Sequence, residues 1–292
     1  MALILNIETS TKNCSVALFE DDNLISEKSL LSDKYSHSEK LTSFIEKIIN
    51  TSDFEFKDLD AVSVSKGPGS YTGLRIGVST AKGLCYALSI PLISVSTLRA
   101  MSHSMILRNK DFDLYCPMID ARRMEVFSAF FNNENKLVRD VRADVVEENS
   151  FLKYLKNNKV LFFGDGSIKC VDVIKSENAY FERNIFPQAR DMALISLNKY
   201  NQKEFEDVAY FEPFYLKDFI AVRKNVYRRL LRLPFLLSSN LLLKDFRLFP
   251  NDPLENSLRL LLLNSFLLLS ELVVFFLLLP ESFFGLDIST VS

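Results

Sequence analysis

The order of apolar and polar residues near the start of the chain predicts strands before helices. Residues 3–7 form a continuous apolar run, and two β-like stretches, residues 15–19 and 24–30, follow it. Residues 20–23, all acidic or amide, are typical of a tight turn between those two stretches. The chain is therefore predicted to begin with three strands.

Helical periodicity appears next and then alternates with strands. Residues 38–50 and 72–88 place apolar side chains three and four positions apart, which predicts two amphipathic helices. Strands are predicted over residues 61–65 and 91–96, and a helix over residues 97–107. The resulting order, three strands and then alternating helices and strands, favours an α/β fold with a mixed sheet.

A similar succession follows in the second part of the chain. Strands are predicted at 115–119, 125–131, 136–143 and 160–163, helices at 145–155 and 191–203, and a closing segment at 213–218. This organisation predicts two related α/β lobes, residues 1–102 and residues 103–221. The helix near residues 191–203 either stays with the second lobe or returns to the first.

A glycine-rich turn joins the strand at 61–65 to the helix that follows. The chain has only eight glycines, and Gly67, Gly69 and Gly73 lie here, with Arg75 close behind. Such a turn directs backbone N–H groups toward an anion at the positive end of a helix. Its spacing fits neither a Walker loop nor a dinucleotide loop. The turn is therefore interpreted as either close to a phosphate or needed only to shape the fold.

Charge around this turn leaves two interpretations open. Residues 61–110 contain no Asp or Glu but six Lys or Arg residues, in a chain with 37 acidic residues. Either this segment forms an electropositive face for a polyanion, or it is a buried segment that avoids acids. The net charge of −2 excludes a globally basic, nucleic-acid-binding protein.

Cysteine and histidine usage excludes several kinds of site. The four cysteines are widely spaced, which argues against a zinc ribbon and favours reduced thiols in a cytoplasmic protein. His37 and His103 cannot supply a His-x-x-x-His metal pair, so no metal site is predicted. The N-terminus has no basic region, and no signal peptide is evident.

Six motifs, taken together in order and spacing, resemble the bacterial TsaB family, formerly called YeaZ-like. They are Leu-Asn-Ile-Glu-Thr-Ser at 5–10, His-Ser-Glu at 37–39, Gly-Pro-Gly-Ser-Tyr-Thr-Gly-Leu-Arg-Ile-Gly at 67–77, Asp-Ala-Arg-Arg-Met-Glu-Val at 120–126, Gly-Asp-Gly at 164–166 and Pro-Phe-Tyr-Leu at 213–216. The run at 67–77 is the most specific of these. The resemblance covers about residues 1–221.

The resemblance implies the two-lobed fold of the actin-like ATPase and sugar-kinase superfamily. It also implies a role in forming threonylcarbamoyladenosine next to the anticodon of tRNA, as a non-catalytic scaffold for the catalytic subunit TsaD. The ATPase TsaE joins that pair, some members form homodimers through the same surface, and tRNA is reached through the complex. No cofactor of its own is implied, and ATP or ADP is expected only at the interface of the complex.

One departure from the superfamily agrees with a non-catalytic role. An actin-like first phosphate loop has an Asp followed closely by Gly, whereas Glu8 is followed here by Thr9, Ser10 and Thr11. The alternative function is a standalone nucleotide-dependent enzyme of the kinase-like superfamily, which would need a tight ATP site and a catalytic Asp in the cleft.

The resemblance also makes the first two helices the expected partner surface. The interface candidates are Leu41, Phe44, Ile48, Leu74, Val78 and Ala81. The competing interpretation is that these apolar stripes face the protein's own sheet.

Two further turns are candidate sites. The second glycine turn, Gly164, Asp165 and Gly166, is either a phosphate-lobe turn or a simple tight turn. Asp120, Arg122 and Arg123 form either a functional patch near the cleft between the lobes or a solvated turn with a salt bridge.

The composition changes after residue 221. Residues 222–292 contain 23 leucines and 8 phenylalanines but no alanine. Three interpretations compete: an out-of-frame translation product, a membrane anchor at residues 260–279, and an additional helical hairpin.

Overall fold

The structure, a computed structural model, describes residues 1–32 and 37–217. The first part of the chain forms a five-stranded mixed sheet with the spatial order β3-β2-β1-β4-β5. Its strands are β1 (Leu3–Glu8), β2 (Asn13–Glu20), β3 (Asn23–Leu31), β4 (Ala61–Gly67) and β5 (Leu92–Ser96). β1 pairs antiparallel with β2 and parallel with β4, so the predicted mixed sheet is confirmed.

Two amphipathic helices, α1 (His37–Asn50) and α2 (Tyr71–Leu88), cover one face of this first sheet. Their apolar stripes pack against alternate side chains of the central strands, including Leu5, Ile7 and Val64. The side-chain period of two in a strand and 3.6 in a helix makes these faces meet. Burial of this shared apolar surface holds the helices on the sheet.

The second sheet repeats the topology of the first. Its strands are β6 (Leu114–Asp120), β7 (Glu125–Asn132), β8 (Leu137–Val145), β9 (Val160–Phe163) and β10 (Ala179–Glu182), in the spatial order β8-β7-β6-β9-β10. The first three strands are antiparallel, and the last two run parallel to the central strand, as in the first sheet. The chain therefore contains two copies of one α/β arrangement.

Three further α-helices lie in the described part of the chain. Helix α3 (Thr97–Arg108) packs Met101 and its neighbours against the second sheet, while Ala100 packs with side chains of the first. The expected lobe boundary after residue 102 thus falls inside a helix that contacts both sheets. A short helix, α4 (Leu152–Leu155), and a longer one, α5 (Ala193–Asn201), complete the set.

The last of these helices, α5, lies on the first sheet. The Ser196 hydroxyl is 2.8 Å from Asn6 Oδ1 and 2.7 Å from Ser63 Oγ, and all three residues are buried. These hydrogen bonds satisfy polar groups beneath the helix and fix its position.

One predicted element is wrong. The segment 145–155 is not a continuous helix, because β8 extends to Val145, which pairs with Glu125 of β7. Phe151 then takes a left-handed conformation with φ of 65°, and only the four residues of α4 are helical. Pairing with a distant strand overrides the local pattern here. β10 is an additional strand that the apolar pattern did not indicate.

Some expectations concern residues outside this description. The 222–292 segment, its candidate span at 260–279 and residues 218–221 of the second lobe lie outside the described residues. Among the residues that are described, no helix is both long and apolar enough to cross a membrane. All four cysteines are buried and free.

Candidate functional site

The glycines at the start of α2 allow the helix to approach the β1–β2 hairpin closely. A Cβ atom at Gly69 would overlap the backbone of Ser10, and one at Gly73 would overlap the carbonyl oxygen of Thr9. The Thr9 hydroxyl in turn donates a 2.8 Å hydrogen bond to the Gly73 carbonyl. The hairpin that holds phosphate in the actin-like interpretation is thus filled by the protein's own helix.

Several N–H groups of this turn already have acceptors. Ser70 N donates to the Ser10 carbonyl at 2.6 Å, and Gly73 N donates to Ser70 Oγ at 3.3 Å. Ser70 is thereby the N-cap of α2. The positions that a Cβ would take at Gly67, Gly69 and Gly73 are occupied by Phe214, Ser10 and Thr9, so these glycines shape the fold, and their phosphate-proximal role stays a prediction.

Residues 205–217, here called the 205–217 strap, run along α2 from Lys82 to its beginning. Phe214 N donates a 2.7 Å hydrogen bond to the Lys66 carbonyl, and Gly67 has φ of 105° in a position where a Cβ would lie 2.9 Å from the Phe214 carbonyl. Arg75 Nε donates to the Tyr215 hydroxyl at 3.2 Å. The Arg75 guanidinium group also lies 4.4 Å from the centre of the Tyr71 ring, so Arg75 contacts both the 205–217 strap and the first residue of α2.

Glu8, at the end of β1, is a fully buried carboxyl group. Its Oε1 accepts hydrogen bonds from Ser10 N at 2.6 Å and from the Ser65 hydroxyl at 2.9 Å. Its Oε2 has no hydrogen-bond partner in the described part of the chain. Desolvation by burial raises the pKa of Glu8 above 4.5, although hydrogen bonds from Ser10 and Ser65 act in the opposite direction.

The raised pKa makes the stability of the protein depend on pH. The folded state holds the Glu8 proton more tightly than the unfolded state, so folding loses stability as pH rises above 4.5. We expect Glu8→Gln to gain stability relative to the wild type as pH rises from about 5 to 8, because the amide carries no charge that burial would penalise. Urea unfolding across this pH range measures the difference.

A matched control for this variant is available on the surface of α1. Glu46 is exposed, so Glu46→Gln makes the same chemical change outside the core and should alter the free energy of unfolding by less than about 0.5 kcal/mol. A stability difference between Glu8→Gln and the wild type that does not vary with pH would contradict the role given to this carboxyl group.

The partner-interface candidates on α1 and α2 mostly belong to the core. Phe44 is half-buried, and the other five are buried: Leu41, Ile48, Leu74, Val78 and Ala81. Their side chains pack on the first sheet or beneath the glycine turn, so these five are not available to a partner. Periodicity locates an apolar face but does not say what covers it, and here the protein's own chain covers it.

The opposite side of α2 faces solvent. It consists of Thr72, Arg75, Ser79, Gly83, Tyr86 and Ala87, hereafter the outer α2 face. Tyr86 is 83% exposed, and a Cβ at Gly83 would meet nothing within 4 Å. Small residues lie at positions 79, 83 and 87, one helical turn apart. This spacing is a sequence signal that could have indicated the surface.

The second glycine turn occupies the equivalent position in the second lobe. Gly164 follows β9 with φ of 106°, as Gly67 ends β4 with φ of 105°. A Cβ at Gly164 would overlap the Met118 carbonyl, and one at Gly166 would lie 2.8 Å from the Ile119 carbonyl carbon. The second turn therefore packs against β6 of its own sheet, whereas the first packs against the β1–β2 connection and Phe214.

Asp165 lies between these two glycines and is largely buried. Its Oδ1 accepts a 3.1 Å hydrogen bond from Asp120 N. Burial raises the pKa of Asp165 to about 6, and the nearby Asp120 carboxylate adds to that effect. Asp165 thus joins the second glycine turn to the β6–β7 hairpin.

That hairpin carries the Asp120, Arg122 and Arg123 group. Lys169 Nζ forms an ion pair with Asp120 and donates 2.7 Å hydrogen bonds to the Arg123 and Glu125 carbonyls. The expected salt bridge is therefore present, but its cation is Lys169 and not an arginine of the turn. Within the described ranges, no cluster of three or more His, Cys, Asp or Glu residues could hold a metal ion.

The repeated topology and the comparisons with known proteins together define the class. A crystal structure from Pseudomonas aeruginosa, of an uncharacterized protein with similarity to peptidase YEAZ, matches with a TM-score of 0.65 and 24% identity, covering 74% of this chain and 100% of that one. The chain is a two-lobed α/β protein with two mixed sheets of the same topology, as the sequence predicted, and it shares its fold with this YEAZ-like protein.

Sequence relatives identify the family. The family model for TsaD, tRNA N6-adenosine threonylcarbamoyltransferase, matches residues 31–224. The tRNA threonylcarbamoyladenosine biosynthesis protein TsaB of Bacillus subtilis is 33% identical over 221 residues, covering 73% of this chain and 93% of that protein. The Escherichia coli protein of the same name is 29% identical, with coverages of 76% and 97%. The chain belongs to the TsaB family.

Proposed function

We propose that this protein takes part in forming threonylcarbamoyladenosine in tRNA as a non-catalytic partner of a TsaD-type transferase. The observation that carries the proposal is the likeness to TsaB of Bacillus subtilis over 93% of that protein's length. The name of that relative indicates the pathway, the biosynthesis of threonylcarbamoyladenosine in tRNA. The finer role, as a partner without its own active site, rests on the geometry of the first lobe.

The β1–β2 hairpin is filled by α2, and this supports a role that does not depend on nucleotide turnover. Thr9 and Ser10 contact the glycines of α2, and the carboxyl group of Glu8 is buried behind them. A catalytic carboxylate needs access to the substrate or to a bound water molecule. Glu8 instead stabilises the backbone of its own hairpin through Ser10 N.

The outer α2 face has the chemistry of a docking surface for another protein. Arg75 is its single charged residue, and Tyr86 extends from it into solvent. Low charge at the centre and an aromatic anchor are typical of protein interfaces. Small residues at 79, 83 and 87 permit a partner helix to approach closely.

The other partners in this proposal are a second copy of the chain, TsaE and a nucleotide. A second copy of the chain would compete with the transferase for the outer α2 face, so a homodimer and the heterodimer exclude each other. TsaE would join the assembled pair. Any ATP or ADP would bind where subunits meet, because the first-lobe hairpin is filled by α2.

Depletion of the protein tests this function in the cell. We expect threonylcarbamoyladenosine in bulk tRNA to fall by at least about tenfold, because a lost subunit would leave the transferase without its partner. Mass spectrometry of digested tRNA measures the modification. A plasmid-borne copy of the full chain should restore it, and so should residues 1–221. Unchanged modification after depletion would refute the proposed function.

A further inference from the structure

The tip of the β6–β7 hairpin holds two adjacent arginines in an unusual backbone conformation. Arg122 has φ of 71° and Arg123 has φ of 49°. This left-handed region favours Gly, Asn and Asp, and long side chains rarely adopt it. Two consecutive arginines are therefore a costly choice for the turn, and such outliers are concentrated at functional sites.

The base of the hairpin fixes this conformation. Arg122 N donates to Asp120 Oδ1 at 3.1 Å, and Glu125 N donates to the Arg122 carbonyl at 3.1 Å. Lys169 Nζ donates hydrogen bonds to the Arg123 and Glu125 carbonyls. The tip is thus held rigidly before any ligand arrives, which lowers the entropy cost of binding.

The two guanidinium groups are the uncompensated charges of this region. Lys169 is paired with Asp120, and Lys217 is paired with Glu125. Both arginines are exposed, and within residues 1–32 and 37–217 neither guanidinium has an ion pair or a hydrogen bond. No carboxylate of the described residues neutralises either guanidinium group, so both arginines can bind an anion from outside the chain.

We propose that Arg122 and Arg123 bind backbone phosphates of RNA. A planar guanidinium group donates two parallel hydrogen bonds to a phosphate, and adjacent arginines match the repeating charge of a nucleic-acid strand. The choice of RNA over an acidic protein rests on the proposed function, in which the substrate is tRNA. The hairpin tip would orient tRNA in the complex without reading its sequence.

Salt-dependent binding of tRNA by the full chain tests this inference. The probe is a fluorescein-labelled, unmodified tRNA transcript. Fluorescence anisotropy gives its affinity for the protein at salt concentrations from about 50 to 300 mM. We expect Arg122→Asn/Arg123→Asn to weaken binding about tenfold and to reduce the slope of log K against log salt by about 1.4–1.8. Asn tolerates this backbone conformation, so the double variant should fold.

Two matched variants make the result specific. Arg122→Lys/Arg123→Lys keeps both charges and should retain the salt slope, with weaker binding because the bidentate geometry is lost. Lys156→Asn/Lys159→Asn removes two exposed charges from another turn and should have little effect. Equal losses in the two Asn double variants would mean diffuse attraction and would overturn the proposal.

The remaining outcomes separate this inference from the proposed function. If the Arg122→Asn/Arg123→Asn variant binds tRNA as the wild type does, or if the wild type binds no transcript, the RNA contact is refuted. Loss of binding to a TsaD-type transferase with tRNA affinity intact would assign the arginines to an acidic protein partner and would also refute it. The depletion experiment above decides the proposed function independently of these arginines.

Discussion

Gly73→Ala is expected to destabilise the protein by about 2–4 kcal/mol, even though alanine favours helices more than glycine does. The added Cβ would overlap the carbonyl oxygen of Thr9, which is backbone and cannot rotate away. The contact between α2 and the β1–β2 hairpin would have to open, and the Thr9 hydroxyl bond to the Gly73 carbonyl would be lost with it. Urea unfolding followed by circular dichroism measures the change.

The matched control lies ten residues further along the same helix. Gly83 is exposed, and a Cβ there would meet nothing within 4 Å. Gly83→Ala should therefore stabilise the protein by up to about 1 kcal/mol through helix propensity alone. Equal effects of the two substitutions would show that the glycine turn is not closely packed against the hairpin.

The sequence predicted most of the first lobe because its elements are local and strongly periodic. The apolar stripe of α1 and the turn between β2 and β3 are clear in short windows of sequence. The TsaB family was likewise evident from residues 67–77, whose glycine spacing is specific. The same glycines also suggested a phosphate-binding turn. The sequence does not show that Thr9 and Ser10 fill the space next to Gly73 and Gly69.

The features that sequence did not predict depend on contacts between distant residues. Val145 continues a strand because Glu125 pairs with it, and no local pattern records that pairing. The interface candidates lie on the apolar sides of α1 and α2, although the side of α2 that faces solvent carries Ser79 and Gly83 instead. The left-handed conformation of Arg122 is a property of the closed hairpin and has no sequence signal.

Gly83→Arg is the second substitution with a large expected effect. Gly83 lies at the centre of the outer α2 face, between Ser79 and Ala87, where a partner helix would approach most closely. A long charged side chain at that point would hold the partner away from the helix and would have to lose its hydration. Because the side chain points into solvent in the free protein, we expect the folded chain to lose no stability and to gain up to about 1 kcal/mol from helix propensity, as Gly83→Ala does.

Isothermal titration of a TsaD-type transferase from the same organism into the full chain tests the central claim most directly. The account predicts that the wild type and Gly83→Ala bind the transferase with similar affinity, and that Gly83→Arg binds at least about 100-fold more weakly, a loss near 2.7 kcal/mol. Absence of binding by the wild type, or undiminished affinity of Gly83→Arg, would contradict the account.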